Sequence, residues 1–583
     1  MTTQPTSPSA ARPPRRRRRA IAEPRRFAPI AVTALAALTA GIVVGAHHVP
    51  SERKAVARFA AGWQRADYPA MYATLSDAAR RRTSLARLKR TYEQAADVLT
   101  LTKLTTGHVS EHGDVVDVPV VMETRVFGRL SGTLAVPTGD RDDGGAGVDW
   151  TSQLVYPGLR RGEKLRRQTD LPPRAAIEAR DGTALAEGPD RLPDPSLGQL
   201  AADIAGRIGP APPERAAELK ARGVPDGAAV GLTGLEREFD ERLTGTPGGT
   251  LYAGDRELAR KPPVAGHSIR STIDPAVQRA AVEALAGRYG GIAAVRPETG
   301  EVLALAGIAL SAPQPPGSTF KIVTLAGVLQ QHVAKRSDTY PVRNAAEIEG
   351  VEIQNANGES CGGSLESSFA HSCNSVFAPL GAKLGARRLV STAERFGFNE
   401  DPGLAGAARS TIPAAGEIGD DLAVGSSAIG QGRVLATPLQ MALVAAAIGE
   451  DGRRPLPTLL KGADPKRVQA TTAPVARTIG RYMRSVVVDG TGAGAAVPGV
   501  KVAGKTGTAE LRTTVKEQPP PDQTDPEQPP PEQDDAADTD AWFTAFAPLA
   551  NPRVAVCVLL VGQGAGGDTA APAAKLVLQA ALA

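Results

Sequence analysis

The spacing of hydrophobic and polar positions changes along the chain, and each change predicts a different kind of structure. From residue 51 to about residue 105, apolar residues recur at helical spacing, as in AVARFAAGWQRADYPAMYATL, with a break at Asp67-Tyr68-Pro69. From about residue 107 to residue 155, short alternating runs such as DVVDVPVVMETRVFG predict strands. Helices followed by a sheet of this size indicate a small α+β domain.

The second half of the chain predicts a larger domain. After a turn-rich stretch with short strands, Asp274-Pro275 introduces an amphipathic helix, and GGIAAVRPETGEVLALAG predicts a β-hairpin. We expect the last strands in VAGKTGTAEL, AWFTAFAP and RVAVCVLLVG. The acidic, Pro-rich tract over residues 512–539 cannot pack a core, so we expect it to be a disordered loop.

An uncharged apolar run follows an arginine-rich N-terminus. The basic tail covers residues 1–26, and residues 27–49 contain FAPIAVTALAALTAGIVVGA, which is long enough to cross a bilayer as a helix. Arginines before the run, and none immediately after it, predict a cytoplasmic N-terminus. We therefore expect a single-pass signal-anchor in the cell membrane, with everything after it outside; a cleaved signal peptide is the alternative.

Composition favours several folded domains and narrows the function classes. The chain has 583 residues, of which 42% are hydrophobic and 22% charged. Its net charge of +5 does not indicate nucleic-acid binding, because much of the positive charge lies in the N-terminal tail. The seven histidines are scattered, so we expect neither a metal nor another cofactor. For Cys361 and Cys373, a disulfide and two free thiols are both consistent with the sequence. Cys557 is expected in a buried strand.

Candidate chemistry begins at PPGSTFK. Ser318 follows a helix-start signal, which places its hydroxyl near free backbone N–H groups. Lys321 lies one turn along the same face, and a lysine that burial keeps neutral can take a serine proton. The Ser-x-x-Lys pattern alone favours an ordinary helix cap, since SERK at residues 51–54 has the same pattern.

Two further motifs favour a catalytic Ser318–Lys321 pair over an ordinary helix cap. They are Ser372-Cys373-Asn374, expected between helices, and Lys505-Thr506-Gly507-Thr508, expected on a strand. The order SxxK, SxN, KTG is typical of penicillin-binding proteins and serine β-lactamases, although the SxN segment here has Cys in place of Asp. If the SxN segment is extended, its serine and asparagine share one face and its cysteine points away. Glycines flanking the Lys-Thr pair are expected to let a substrate backbone approach the strand.

Longer segments extend the resemblance. STIDPAVQRAA, VRPETGEVLALAG, IQNANGESCGGSLESSFAHSCNSVF and SSAIGQGRVLATPLQMA look like the transpeptidase domain of class B penicillin-binding proteins. FAAGWQRADYPAMYATLS and WTSQLVYPGLRRGEKL resemble the small N-terminal domain of resistance-type, low-affinity members, and LPPRAAIEARDGTALA resembles the start of their dimerisation region.

The resemblance implies a multidomain α+β protein with a defined domain order. After the tail and the transmembrane helix come an NTF2-like α+β domain at residues 50–160 and a pedestal, or dimerisation, region at residues 161–268. Residues 269–583 would form the penicillin-binding transpeptidase domain, which has a serine β-lactamase-like fold with a central antiparallel sheet flanked by helices.

The resemblance also implies catalytic roles. Ser318 would attack the D-Ala-D-Ala carbonyl of a peptidoglycan stem peptide, with Lys321 as general base. Ser372 would relay a proton to the leaving amine, and Asn374 would hold the substrate amide and the base. Lys505 would help bind the substrate carboxylate.

The same resemblance implies that strand residues bind the substrate. Thr506, Gly507 and Thr508 would line it, and the backbone N–H groups of Ser318 and Thr508 would form an oxyanion hole.

The expected function is therefore a membrane-anchored D,D-transpeptidase that β-lactams acylate as covalent inhibitors. A wall-synthesis glycosyltransferase is the expected protein partner, and no nucleic acid is expected. A D,D-carboxypeptidase and a catalytically idle scaffold are the alternatives.

Overall fold

The computed structural model describes residues 50–113, 115–195, 197, 201, 204–510 and 539–583. The chain divides into two compact units: residues 50–97, 101–123 and 129–164 form the first, and the remaining described residues form the second. The predicted membrane span and almost all of the predicted acidic loop lie outside the described residues. Within them, no helix is both long enough and apolar enough to cross a membrane.

The first unit has helices followed by a sheet, as the pattern predicts. Its helices are α1 Ser51–Gln64, α2 Tyr68–Ala73, α3 Asp77–Arg82 and α4 Leu85–Leu99, and its strands are β1 Leu101–Thr106, β2 Ser110–His112, β3 Val115–Thr124, β4 Gly128–Asp140 and β5 Ala146–Val148. The strands pair in the order β1-β3-β4-β5, with β2 on β3. Tyr92 of α4 packs against the rings of Phe59 and Trp63 in the core.

The second unit begins with short elements. They are β6 Leu165–Asp170, β7 Ile177–Glu178, β8 Ala184–Ala186, β9 Ile208–Pro210, α5 Ala216–Ala221, β10 Ala229–Gly231, α6 Gly234–Glu238, α7 Asp240–Thr244, β11 Gly248–Ala253, β12 Arg256–Lys261 and β13 Ile269–Arg270. A buried ion-pair network joins two of these helices, because Arg174 contacts Glu236 of α6 at 2.6 Å and Asp240 of α7 at 2.9 Å. Charged groups that are buried need such partners.

The rest of the second unit carries longer helices and strands. They are α8 Pro275–Leu285, β14 Gly290–Val295, β15 Val302–Gly307, α9 Lys321–Gln330, β16 Thr339–Arg343, β17 Ala345–Ile348, β18 Val351–Gln354, β19 Cys361–Ser364, α10 Leu365–Ala370, α11 Asn374–Leu384, α12 Ala386–Arg395, α13 Asp421–Ala428, α14 Pro438–Gly449, β20 Arg453–Pro455, β21 Arg467–Gln469, α15 Ala473–Val488, β22 Ala503–Glu510, β23 Thr539–Ala547, β24 Val554–Leu560 and α16 Ala570–Leu582.

Five of these strands form the central sheet, in the order β15-β14-β24-β23-β22, and every neighbouring pair is antiparallel. Alternate residues of β24 enter two different cores, as the two-residue period of a strand requires. The core on one face includes α8 and α16, and the core on the other includes α14. The expected antiparallel sheet flanked by helices is thus confirmed. Thr539, assigned to the loop from its sequence, is instead the first residue of β23.

Candidate active site

The chain around Ser318 is a 3₁₀ turn, Gly317–Phe320, that runs directly into α9. The Thr319 hydroxyl donates to the carbonyl of Pro316 at 2.7 Å, and the backbone N–H of Gly317 donates to the carbonyl of Gly430 at 3.0 Å. The predicted helix start is therefore confirmed, and the turn is held by bonds on both sides. Ser318 itself is partly exposed.

Lys321, the first residue of α9, is fully buried. Its amine donates to Asn374 Oδ1 at 2.7 Å, to the backbone carbonyl of Ser372 at 2.6 Å and, at 3.3 Å, to the Ser372 hydroxyl. The structure thus joins the SxxK lysine to both polar residues of the SxN motif.

Lys505 on β22 is also fully buried and reaches the same hydroxyl. Its amine donates to Ser372 Oγ at 2.8 Å and to the carbonyl of Thr506 at 3.0 Å. Two lysine amines therefore share one serine hydroxyl. Because Ser372 Oγ accepts from both, its own proton is available to a further acceptor.

The walls beside the two amines are aromatic. Lys321 Nζ lies 5.7 Å from the centre of the Phe377 ring, and Lys505 Nζ lies 5.7 Å from that of Phe369. No salt bridge joins either lysine to a carboxylate of the described residues. Burial without a counter-ion disfavours a charged amine.

This environment shifts both lysines toward the neutral form. Burial lowers the pKa of Lys505 to about 7. Burial also lowers the pKa of Lys321 well below its ordinary value, and the positive charge of Lys505 lowers it further. The lowered pKa of Lys321 suits its amine to accept a proton from a serine hydroxyl, the role that its place in the SxxK motif predicts.

The SxN segment lies between α10 and α11, as predicted, but it is not extended. Ser372 has φ +61°, in the left-handed region, and Asn374 is already the first residue of α11. The left-handed residue reverses the chain between the helices, and Lys321 still contacts both polar side chains. Cys373 points elsewhere and is disulfide-bonded to Cys361, with the two Cα atoms 5.8 Å apart.

The KTG motif lies on edge strand β22, as predicted, and its two glycines pack closely against other parts of the protein. A Cβ on Gly504 would lie 2.3 Å from the Phe543 ring, and one on Gly507 would lie 2.8 Å from the carbonyl oxygen of Pro316. A Cβ at either glycine would therefore clash with the protein's own atoms. Gly507 thus allows β22 to pack against the turn that carries Ser318.

Three further residues, none of them predicted as a site residue, contact the motifs of the site. The Asn374 side-chain amide donates to the carbonyl of Gln354 at 2.8 Å, and the backbone N–H of Ser375 donates to Asn355 Oδ1 at 2.8 Å. Strand β18 therefore orients the start of α11. Thr491, in a turn after α15, lies 2.5 Å from Thr506, hydroxyl to hydroxyl. Gln354 and Asn355 lie in a segment that resembles the family, IQNANG, whereas no motif and no periodicity marks Thr491.

The arrangement suits acyl transfer through a serine. A partly exposed hydroxyl begins a helix, a buried amine with a lowered pKa follows one turn later, and a second hydroxyl held by two amines lies beside it. Among the described residues, no group of acidic, histidine and cysteine side chains could hold a metal ion.

Comparison with known proteins agrees with this chemistry. The penicillin binding protein transpeptidase domain matches residues 290–579, and the penicillin-binding protein dimerisation domain matches residues 195–271. The peptidoglycan D,D-transpeptidase PbpA of Mycolicibacterium smegmatis is 32% identical over 419 residues, which cover 60% of this chain and 79% of the relative. The peptidoglycan D,D-transpeptidase MrdA of Acinetobacter baumannii is 26% identical over 414 residues, 60% of each chain.

Solved structures show the same likeness. The ceftriaxone acyl-enzyme complex of penicillin-binding protein A from M. tuberculosis matches with a TM-score of 0.55 and 25% identity, over 70% of this chain and 98% of that one. PBP2 of Pseudomonas aeruginosa in complex with WCK 5153 matches with a TM-score of 0.59 and 26% identity, over 71% and 96% of the two chains.

Proposed function

The chain belongs to the penicillin-binding protein transpeptidase family, and we propose that Ser318 is the nucleophile of its reaction. The protein is a class B, serine-type peptidoglycan D,D-transpeptidase, and β-lactams acylate it. The observation that best supports the assignment of residues is the pair of buried lysines on one serine hydroxyl.

In the first step, Ser318 Oγ attacks the carbonyl carbon between the two terminal D-alanines, and Lys321 takes the hydroxyl proton. Its lowered pKa, caused by burial, supports this role. Backbone N–H groups of Ser318 and Thr508 stabilise the negative oxygen of the tetrahedral intermediate.

In the second step, the carbon–nitrogen bond breaks and the departing D-alanine amine needs a proton. Ser372 donates its own proton to that amine, and Lys321 returns the proton it took to Ser372 Oγ, which lies 3.3 Å from its amine. The products are an acyl-enzyme ester and free D-alanine, with the proton count balanced.

In the third step, an amine of a second stem peptide attacks the ester, and the same groups move protons in reverse. Asn374 orients Lys321, and Thr506, Gly507 and Thr508 line the substrate strand. Lys505 donates to Ser372 Oγ and attracts the substrate carboxylate, with which β-lactam carboxylates compete.

Fluorescent penicillin tests the nucleophile. The full chain is expected to be labelled covalently, and Ser318→Ala to be unlabelled although folded. Labelling that survives Ser318→Ala would refute the assignment. A second serine-to-alanine change, Ser391→Ala at an exposed position of α12, serves as the matched control and should be labelled like the wild-type chain.

A stem-peptide donor and an amine acceptor separate the alternatives. A cross-linked product with released D-alanine is the result expected of a transpeptidase. D-alanine release without cross-link would indicate a D,D-carboxypeptidase, and neither product would indicate an idle scaffold.

We also propose that residues 27–49 anchor the protein in the cell membrane, which the apolar run and its flanking arginines support. The helices-then-sheet order of residues 50–160 supports an NTF2-like domain there. Residues 161–268 are the pedestal, and residues 269–583 the catalytic domain. A wall-synthesis glycosyltransferase that extends the glycan strands is the proposed partner. Fractionation of cells that express the full chain or residues 50–583 tests the anchor: only the full chain should sediment with membranes.

A further inference from the structure

Thr491 lies three residues beyond the end of α15, between the SxN segment and the KTG strand. Its backbone N–H donates to the carbonyl of Ala370 at 3.3 Å, two residues before Ser372. Its hydroxyl oxygen lies 2.5 Å from the hydroxyl oxygen of Thr506. Thr491 thus contacts the KTG motif and the end of α10, the helix that leads into the SxN motif.

The backbone around Thr491 has little room to move. A Cβ on Gly490 would lie 2.3 Å from the carbonyl oxygen of Ala370, and one on Gly567 would lie 2.4 Å from the carbonyl oxygen of Thr491. The next residue, Gly492, donates its N–H to Val486 at 2.9 Å. Close packing on both sides therefore fixes the backbone from which the Thr491 side chain projects.

Either hydroxyl can donate in the short Thr491–Thr506 contact, but an anionic ligand selects the direction. The other acceptor within reach of Thr491 Oγ1, the carbonyl of Ala370, is 3.5 Å away, which is long for a hydroxyl hydrogen bond. When a carboxylate approaches Thr506, the Thr506 proton bonds the anion, so Thr491 must supply the proton between the hydroxyls. Hydrogen bonds in such a chain strengthen one another.

We propose that Thr491 is a positioning residue for the acyl donor: it donates to Thr506 Oγ1 and thereby holds the Thr506 proton toward the terminal carboxylate of the stem peptide or of a β-lactam. This inference rests on the proposed function, in which Thr506 lines the substrate strand, and adds that the Thr506 hydroxyl bonds the carboxylate that Lys505 attracts. Thr491 does not touch the reacting atoms, so its effect depends on whether the ligand carries the charge.

The test compares acylation of the full chain by benzylpenicillin and by its methyl ester, which lacks the carboxylate charge. The variants are Thr491→Val, which keeps the shape and removes the hydroxyl, Thr491→Ser, which restores it, Thr506→Val and the Thr491→Val, Thr506→Val double variant. Second-order acylation rate constants are measured for each.

We expect Thr491→Val to slow acylation by benzylpenicillin about fivefold to tenfold, and acylation by the ester less than about twofold. Thr491→Ser should recover the wild-type constant within about twofold. The double variant should be no slower than Thr506→Val alone, since Thr491 acts through Thr506.

Two results would overturn the inference. If Thr491→Val left the acylation rate constant with benzylpenicillin unchanged, the Thr491–Thr506 hydrogen bond would not contribute to acylation. An equal decrease of the rate constant with both ligands would show a merely structural role. Failure of the proposed function looks different, because the wild-type chain would then not be acylated by either ligand.

Discussion

Replacing Lys505 with methionine tests whether the buried lysine amine lowers the free energy of unfolding. The side chain is fully buried, and burial lowers its pKa from 10.5 to about 7. Between these two pH values the unfolded chain binds more protons at this residue than the folded chain does. The free energy of unfolding therefore rises with pH through this window, and the lysine weakens the fold most at and below pH 7.

The size of the effect follows from the shift. At pH 7, holding Lys505 in its folded environment costs about 4 kcal/mol relative to the unfolded chain, and raising the pH to 9 recovers about 2 kcal/mol of this. Methionine has a similar length and no charge, so it removes this dependence. It also loses the hydrogen bonds to Ser372 Oγ and the Thr506 carbonyl, worth about 1–3 kcal/mol together. The pH dependence of the unfolding free energy is thus more diagnostic than its value at a single pH.

Unfolding by guanidinium at pH 7, 8 and 9 measures how the free energy of unfolding changes with pH. Trp542, which pairs with β22, reports on the second unit when Trp63 and Trp150 of the first unit are replaced by phenylalanine in every protein compared. We expect the unfolding free energy of the Lys505→Met variant to be flatter with pH than that of the parent by about 2 kcal/mol over this range. Lys466→Met, at an exposed position, is the matched control. Parallel curves for parent and Lys505→Met would refute the reasoning.

Three further changes test the geometry around the nucleophile. Asn374→Asp would put a carboxylate 2.7 Å from the Lys321 amine and raise the pKa of that lysine. Acylation at pH 7 should fall, and the rising limb of its pH profile should move to higher pH. Cys361→Ser removes a disulfide that spans 12 residues, and calorimetry should show a loss of about 2–3 kcal/mol. Gly430→Ala would place a Cβ 2.0 Å from the carbonyl oxygen preceding the nucleophile, and stopped-flow acylation should slow about tenfold or more.

Each of these changes has a control or a contrary result. A pH profile of Asn374→Asp that falls without moving would argue against Lys321 as the base. Reductant added to the wild-type chain should reproduce the effect of Cys361→Ser, and should add nothing to that variant. Gly403 also has a positive φ, +75°, but has open space around it, so Gly403→Ala should leave acylation unchanged.

Much of the fold can be predicted from the sequence because local pattern and long-range packing agree. In β23 and β24, alternate side chains enter different apolar cores, so nearly every position is hydrophobic and the run is read as a strand buried on both faces. The helix after Asp274 has its cap and its Pro at the first position, both local signals. For these segments, the local sequence is sufficient to predict the helix and the strands.

The site is harder to predict, because its decisive contacts join residues far apart in the chain. The motif order identifies Lys321, Ser372 and Lys505, but no spacing shows that both amines bond one hydroxyl. The left-handed φ of Ser372 escapes prediction as well, since serine rarely adopts that conformation. The space around Gly507 is filled by the turn before the nucleophile, a neighbour that lies almost two hundred residues earlier in the sequence.

The apolar surroundings of the two lysines link stability to chemistry. Phe369 and Phe377 pack edge to face at 5.8 Å and form the wall near both amines. A carboxylate in that wall would stabilise the folded chain by pairing with a charged lysine, and would also keep Lys321 protonated and useless as a base. An aromatic wall does the opposite: it offers only weak cation–π attraction and excludes water, so the pKa of the Lys321 amine lies well below its ordinary value. The same burial that weakens the fold at pH 7 therefore makes the serine reactive, and any substitution that relieves one is expected to diminish the other.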